Sequence, residues 1–154
     1  MSQSIQEFLA AGTLKASADL ITAYLRIPAD KREWSPSETS RSAVDQLAEC
    51  ALLNGFTDAT IKTHVMTGGN MDEYFRIKAQ TVKLSFDELK EKLATNTAGV
   101  AESIKTLPER DLSIVIDMPW GPMTLEQMIT YPMWNMNYHE AQINYIASIL
   151  GSLK

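Results

Sequence analysis

Apolar residues recur at helical spacing along four segments of the chain, and each segment predicts a long amphipathic helix. The first covers residues 4–27. The second begins near residues 37–40 and is expected to fray or bend at Asn54 and Gly55, because glycine disfavours a helical backbone. The glycines within residues 67–72 predict a break between the second and third helices.

The third and fourth segments carry the clearest start signals. Ser85 with Glu88, and Thr124 with Gln127, have the spacing of a capping box, in which each side chain bonds the other residue's backbone. Pro132 lies near the start of the last segment. Because proline cannot donate a backbone hydrogen bond, we expect it to bend the last helix or to split off its first turns.

The region between the third and fourth helices has a different pattern. Apolar and polar residues alternate within residues 108–124, which predicts a short extended excursion or a hairpin. Four long amphipathic helices with one strand-like insertion predict an all-α fold class, a four-helix bundle. A length of 154 residues fits a single domain over residues 1–154.

The composition of the chain limits the partners and the cellular compartment that we expect for the protein. The formal net charge is −5 and no Lys/Arg cluster is present, which argues against a nucleic-acid partner. The chain has no run of about 18 apolar residues, and residues 1–9 lack a signal-peptide pattern, so we expect a cytoplasmic protein without a membrane partner. The single cysteine, Cys50, lies in an apolar run and is predicted to be a buried hydrophobe.

Three hydrogen-bonding side chains, Asn135, His139 and Gln142, interrupt the apolar stripe of the last helix. At about 100° per residue His139 falls in line with apolar side chains of that region. These are Met128, Met136, Ile143, Ile146 and Leu150. A buried polar group without a partner costs about 1–3 kcal/mol, so a metal ion, another side chain, water or a ligand must satisfy them. The best complement is Glu49, in the most apolar part of the second helix, although periodicity leaves its direction open.

Several short motifs, spread from about the second helix to the end, point to one family. They are Trp34-Ser35-Pro36, Ser42 followed seven positions later by Glu49, Gly121 with Thr124-Leu125, and Asn135-Met136-Asn137-Tyr138-His139-Glu140-Ala141-Gln142-Ile143. On these motifs the sequence resembles the DinB-like (YfiT-like) four-helix bundles, which are described as metal-dependent hydrolases and include bacterial thiol S-transferases. The resemblance implies the same bundle fold.

The resemblance also implies a metal centre. Members of the family usually carry three histidines as ligands, and their positions fall on Glu49, Asn135 and His139 of this chain. Asn135 and His139 are four residues apart and therefore share a helix face. Carboxylate and imidazole bind zinc, nickel or manganese well, so the resemblance implies one divalent metal (Zn, Ni or Mn) that activates a water or a thiol.

A metal-free arrangement of the same residues stays open, and with it the question of whether the chain is an enzyme. Glu49 and His139 could instead form a hydrogen-bonded ion pair, with Asn135 and Gln142 as further partners. The protein would then be a homodimeric binding or structural bundle with a vestigial site. The second histidine, His64, lies beside a loop and is expected to face solvent.

An aromatic strip on the last helix predicts a protein interface. It lies about 100–160° away from His139 on the helical wheel and consists of Trp134, Tyr138 and Tyr145, with Ala141 between them. We expect a homodimer through this strip, a type of contact that is common in the resembling family; the alternative is that other parts of the chain cover the rings. Met133 and Met136 are alternatively expected to line an apolar pocket for a small molecule.

Overall fold

A computed structural model describes residues 4–154 of the chain. In chain order the helices and strands are α1 (Ile5–Leu25), α2 (Ala43–Thr63), α3 (Met71–Thr81), α4 (Phe86–Thr106), β1 (Val115–Met118), β2 (Gly121–Thr124), α5 (Leu125–Met128) and α6 (Tyr131–Ile149). Among the helices of these residues, none combines the length and the apolar character that crossing a bilayer requires.

The four long helices α1, α2, α4 and α6 form a bundle. Helix α2 packs along α4, α1 packs against both α4 and α6, and α2 contacts α6. Each long helix contributes fully buried side chains to the shared core: Leu20 from α1, Leu47 from α2, Leu93 from α4 and Ile143 from α6. Burying one such side chain stabilises the fold by about 1.5–3 kcal/mol. The predicted all-α four-helix bundle is confirmed.

The predicted start signals and the excursion are confirmed as well. The Ser85 and Thr124 side chains accept hydrogen bonds at the starts of α4 and α5, each in a complete capping box. Strands β1 and β2 form an antiparallel hairpin in which Met118 pairs with Gly121. Pro132 lies in the first turn of α6, and the short α5 is separated from α6 just before it.

The expected fray or bend at Asn54 and Gly55 is wrong, because α2 continues through both residues to Thr63. The Asn54 amide is buried and donates to Thr97 Oγ1 of α4 at 2.9 Å. A Cβ atom at Gly55 would lie 2.7 Å from Asn96 Nδ2, so the glycine allows α4 to approach closely. Packing between α2 and α4 therefore outweighs the glycine's cost of about 1 kcal/mol in a helix.

Helix α3 is not predicted by the sequence pattern. Asn70 caps it, with its Oδ1 accepting from the backbone of Glu73 at 3.1 Å. Its surface is mostly polar and it lies outside the four-helix core, against α2. The helix matters for function because it brings Tyr74 and Lys78 to the carboxylate of Glu49.

Candidate functional site

The centre of the site is a hydrogen bond between α2 and α6. His139 is 2% exposed, and its Nε2 lies 3.0 Å from Glu49 Oε1. The Glu49 side chain is 15% exposed, so the pair lies at the edge of the core. The sequence predicted that His139 points into the bundle, and the structure confirms this and turns Glu49 towards it.

The second oxygen of Glu49 receives three further donors. Arg41 Nη2 lies 2.6 Å from Glu49 Oε2, and Lys78 Nζ and the Tyr74 hydroxyl each lie 3.4 Å from the same atom. Lys78 also contacts Asp45 Oδ1 at 2.9 Å, and Arg41 bonds the same carboxylate. We call this group of residues, with His139, the ion network. Both oxygens of Glu49 are therefore occupied by side chains of the protein.

The protonation of Glu49 follows from these contacts. Burial would raise the pKa of its carboxyl group, because the charged form loses solvation. Hydrogen bonds from His139 and Arg41, together with the charge of Arg41, outweigh burial and lower the pKa to about 2. Glu49 is consequently a carboxylate throughout the physiological pH range.

The remaining polar groups of α6 do not converge on Glu49. His139 Nδ1 lies 2.9 Å from Gln46 Oε1 and 3.3 Å from Gln142 Oε1, so two amide groups hold the far side of the ring. The buried Asn135 amide instead approaches Cys50 Sγ at 3.7 Å. Of the three predicted metal ligands, Glu49 and His139 are thus in contact, whereas the Asn135 amide points towards Cys50 Sγ.

Two further expectations are confirmed. The Cys50 side chain is fully buried, and burial raises the pKa of its thiol, as expected of an inert core residue. His64 is exposed at the end of α2, where it adopts a left-handed backbone with φ of 58°. It lies outside the ion network.

A cavity of about 210 Å³ opens beside the ion network, and Glu49 forms part of its wall. The other lining residues are mostly aromatic or sulfur-containing. They are Leu53, Phe56, Thr57, Thr60, Met66, Thr67, Gly68, Met71, Tyr74, Met118, Trp120, Met123, Met128 and Tyr131. Methionines line the cavity, but not the predicted ones: Met136 is fully buried in the core and Met133 packs against it.

The charge of Glu49 helps to raise the pKa of two tyrosines in the cavity wall. Burial raises the pKa of Tyr131 to about 12, and the negative charge of Glu49 contributes to the rise. Burial and the same charge raise the pKa of Tyr74 well above its usual value. Both hydroxyl groups therefore remain protonated donors at physiological pH.

The donor set does not fit a divalent metal as it is arranged. Within residues 4–154, no three His, Cys, Asp or Glu side chains group in a way that could hold a metal ion. The Glu49 carboxylate is compensated by Arg41 and Lys78, and a metal cation would have to displace both from it. Asn135 could add only a neutral amide, which is a weak ligand for such ions. The set Glu49, Asn135 and His139 stays a prediction that metal analysis can test.

The sequence reasoning missed Arg41, Asp45 and Lys78. Arg41, Asp45 and Glu49 follow each other at intervals of four, the spacing that aligns opposite charges along a helix face, and this signal could have found two of them. Lys78 gave no such signal, because it comes from α3, which was not predicted.

The aromatic strip on α6 is exposed in the single chain. Trp134, Tyr138 and Tyr145 are 56%, 49% and 68% exposed, and the rings of Trp134 and Tyr138 stack with centroids 5.5 Å apart. Other parts of the described chain therefore do not cover the rings, which rules out that alternative. The expected homodimer stays a prediction.

Fold and site together define a four-helix bundle with a partly buried ion network beside an apolar cavity. Among solved structures, the chain is similar to YfiT from Bacillus subtilis, described as a probable metal-dependent hydrolase with an unusual four-helix bundle topology. The TM-score is 0.82 at 12% sequence identity, over 98% of this chain and 90% of that chain. Comparison with protein-family models and with curated proteins gives no match.

The likeness to YfiT confirms the resemblance at the level of the fold. It covers nearly the whole chain, although the two sequences share only 12% of their residues. One fold can support many activities, so the function has to be argued from the residues of the site.

Proposed function

We propose that this protein is a small-molecule-binding bundle that works without a bound metal ion. The observation that carries the proposal is the position of Glu49, which lies in the cavity wall with both oxygens held by side chains of the protein. Two members of the ion network, Glu49 and His139, are positions onto which the resemblance maps metal ligands of the family. It fixes one end of a preformed apolar cavity.

The cavity has the character of a ligand site. Sites for small molecules are concave, mostly apolar and lined by aromatic side chains, with a few fixed polar groups. Here the fixed polar groups are the Glu49 carboxylate and the Tyr74 hydroxyl, which lie 3.4 Å apart. Five flexible methionine side chains of the lining can adjust to the shape of a ligand.

Ligand binding is expected to be independent of metal. After chelator treatment, protein purified without a histidine tag should bind the neutral dye N-phenyl-1-naphthylamine with a dissociation constant that zinc, nickel or manganese leaves unchanged within about twofold. The physical reason is that the apolar wall, and not an ion, supplies the binding energy. Dye fluorescence and elemental analysis of the same samples measure both quantities.

Matched variants locate the bound dye. Thr67 lines the cavity, so Thr67→Trp should fill it and weaken dye binding at least about tenfold, as expected when a ligand loses its apolar contacts. Thr95→Trp, at an exposed position of α4, should leave dye binding unchanged. Equal binding by both variants would place the dye elsewhere and contradict the proposal.

A second candidate is a metal-dependent enzyme of unknown substrate: a hydrolase, as YfiT is described, or a thiol transferase, as the family resemblance implies. This candidate requires a metal at Glu49, Asn135 and His139. Stoichiometric metal in the purified protein, lost in the His139→Ala variant, would support it and overturn the metal-free proposal. Metal well below one ion per chain in both samples would remove it.

We also propose a partner for the exposed aromatic strip, a second copy of this chain. The strip runs along one helix, so two copies related by a twofold axis can bury Trp134, Tyr138 and Tyr145 against each other. Large aromatic residues are enriched in such interfaces and carry much of their binding energy.

Trp134→Glu is expected to convert a dimer into a monomer. A charge in the centre of an apolar interface would lose solvation without gaining a partner, and one such residue can cost 2 kcal/mol or more of binding energy, roughly thirtyfold in affinity. Light scattering after size exclusion measures the mass. The matched control is Trp120→Glu, since Trp120 is also more than half exposed, at 64%, but lies on the hairpin turn. A monomeric wild-type protein, or a dimer that survives Trp134→Glu, would contradict the proposal.

A further inference from the structure

The aromatic rings of the cavity come from four separate elements. Phe56 lies in α2, Tyr74 in α3, Trp120 in the hairpin turn and Tyr131 in α6, and we call these four residues the aromatic cage. The rings of Phe56 and Tyr74 are tilted by 58°, with centroids 6.4 Å apart. Trp120 Nε1 donates to Met123 Sδ at 3.2 Å, which holds the indole at the cavity wall. The faces of such rings attract cations.

The charge of the lining selects against anions. Glu49 is the sole charged residue among those that line the cavity within residues 4–154, and neither Arg41 nor Lys78 reaches the wall. An anionic ligand would therefore find no cationic side chain in the cavity wall, because Arg41 and Lys78 are already paired with Glu49 and Asp45 behind it. The formal net charge of −5 adds a weak long-range attraction for cations.

The hydrogen bonds of Glu49 narrow the class of cation. Oε1 accepts from His139 and Oε2 is surrounded by Arg41, Lys78 and Tyr74, so the carboxylate has little capacity for another donor. A primary ammonium group would bring three N–H donors into the cavity, where, with Glu49 occupied, mainly neutral hydroxyl groups of the lining can accept from them; this replaces its solvation by water less completely. A quaternary ammonium group has no N–H donor, and its methyl groups suit an apolar wall.

We propose that the cavity binds a molecule that carries a quaternary ammonium group, held by the aromatic cage beside the Glu49 carboxylate. This inference rests on the proposed ligand-binding function and names the chemical class of its ligand. Attraction to the ring faces supplies selectivity, and apolar contacts with the methionines hold the remainder of the ligand.

Three probes that share a hydroxyethyl group test the class by competition with the bound naphthylamine dye and by isothermal titration. Choline carries a quaternary ammonium, ethanolamine carries a primary ammonium, and 3,3-dimethylbutan-1-ol is the neutral isostere of choline. Choline should bind about fivefold more tightly than either, as expected for a cation against partly exposed aromatic rings. Trp120→Leu should weaken choline binding several-fold, whereas Phe8→Leu, which replaces an exposed aromatic ring of α1 outside the cage, should leave it unchanged.

The possible outcomes distinguish the proposed ammonium ligand from the proposed ligand-binding function. If the dye binds but choline competes no better than the neutral alcohol, the ammonium class is wrong while the ligand site stands. If ethanolamine binds as well as choline, the argument from the hydrogen bonds of Glu49 is wrong. If the dye itself does not bind in the cavity, the proposed function fails and the inference fails with it.

Discussion

Glu49→Ala is expected to lower the free energy of unfolding by about 3 kcal/mol. Removing one member of a buried ion pair costs about 3–5 kcal/mol because its partners stay behind without compensation, and the slight exposure of Glu49 places the loss at the lower end. Arg41 and Lys78 would then share one carboxylate, that of Asp45, and His139 would lose its contact with the Glu49 carboxylate. Urea unfolding followed by circular dichroism measures the change.

The control for this variant is Glu91→Ala, which removes a carboxylate from an exposed position of α4. Its effect should stay within about 0.5 kcal/mol, as is usual for surface substitutions. A loss below about 1 kcal/mol for Glu49→Ala would show that the ion network contributes little to stability. The double variant Glu49→Leu/His139→Leu should recover part of the loss, because it removes the buried pair as a whole.

The bundle was predictable because its signals are local. Periodic apolar positions and capping residues such as Ser85 and Thr124 act within a few residues of the helix they start, and both are confirmed. The continuity of α2 was not predictable, since it depends on contacts of Asn54 and Gly55 with α4, some forty residues later in the chain. Helix α3 was not predicted because a mostly polar helix has few apolar residues from which a helical period can be recognised.

The candidate site was likewise predictable only in part. The inward direction of His139 follows from the period of α6, and the structure confirms it. The direction of Glu49 did not follow from the sequence, because both faces of α2 are apolar around it. In the structure, the Glu49 side chain points to the place where Arg41 and Lys78 contact its carboxylate. Lys78 reaches this carboxylate because α3 packs against α2.

Acidification is expected to weaken the fold through Glu49. Its pKa is about 2 in the folded protein and near 4.5 without these contacts. Between those values the unfolded chain binds a proton that the folded chain does not, so the stabilisation is complete above about pH 5 and is lost as the pH falls towards 2. Solvent screening at the partly exposed carboxylate reduces the loss to about 2 kcal/mol.

Other carboxylates titrate in the same range, so the test is the difference between the wild type and Glu49→Gln. Urea unfolding at steps from pH 5.5 to pH 2.5 should show a smaller loss in the variant, because glutamine cannot take up a proton. The groups that face Glu49 are His139, Arg41, Lys78 and Tyr74, and all four are donors that favour its charged form. Parallel pH profiles for the two proteins would contradict a lowered pKa and, with it, the strength of the contacts that hold Glu49 at the cavity wall.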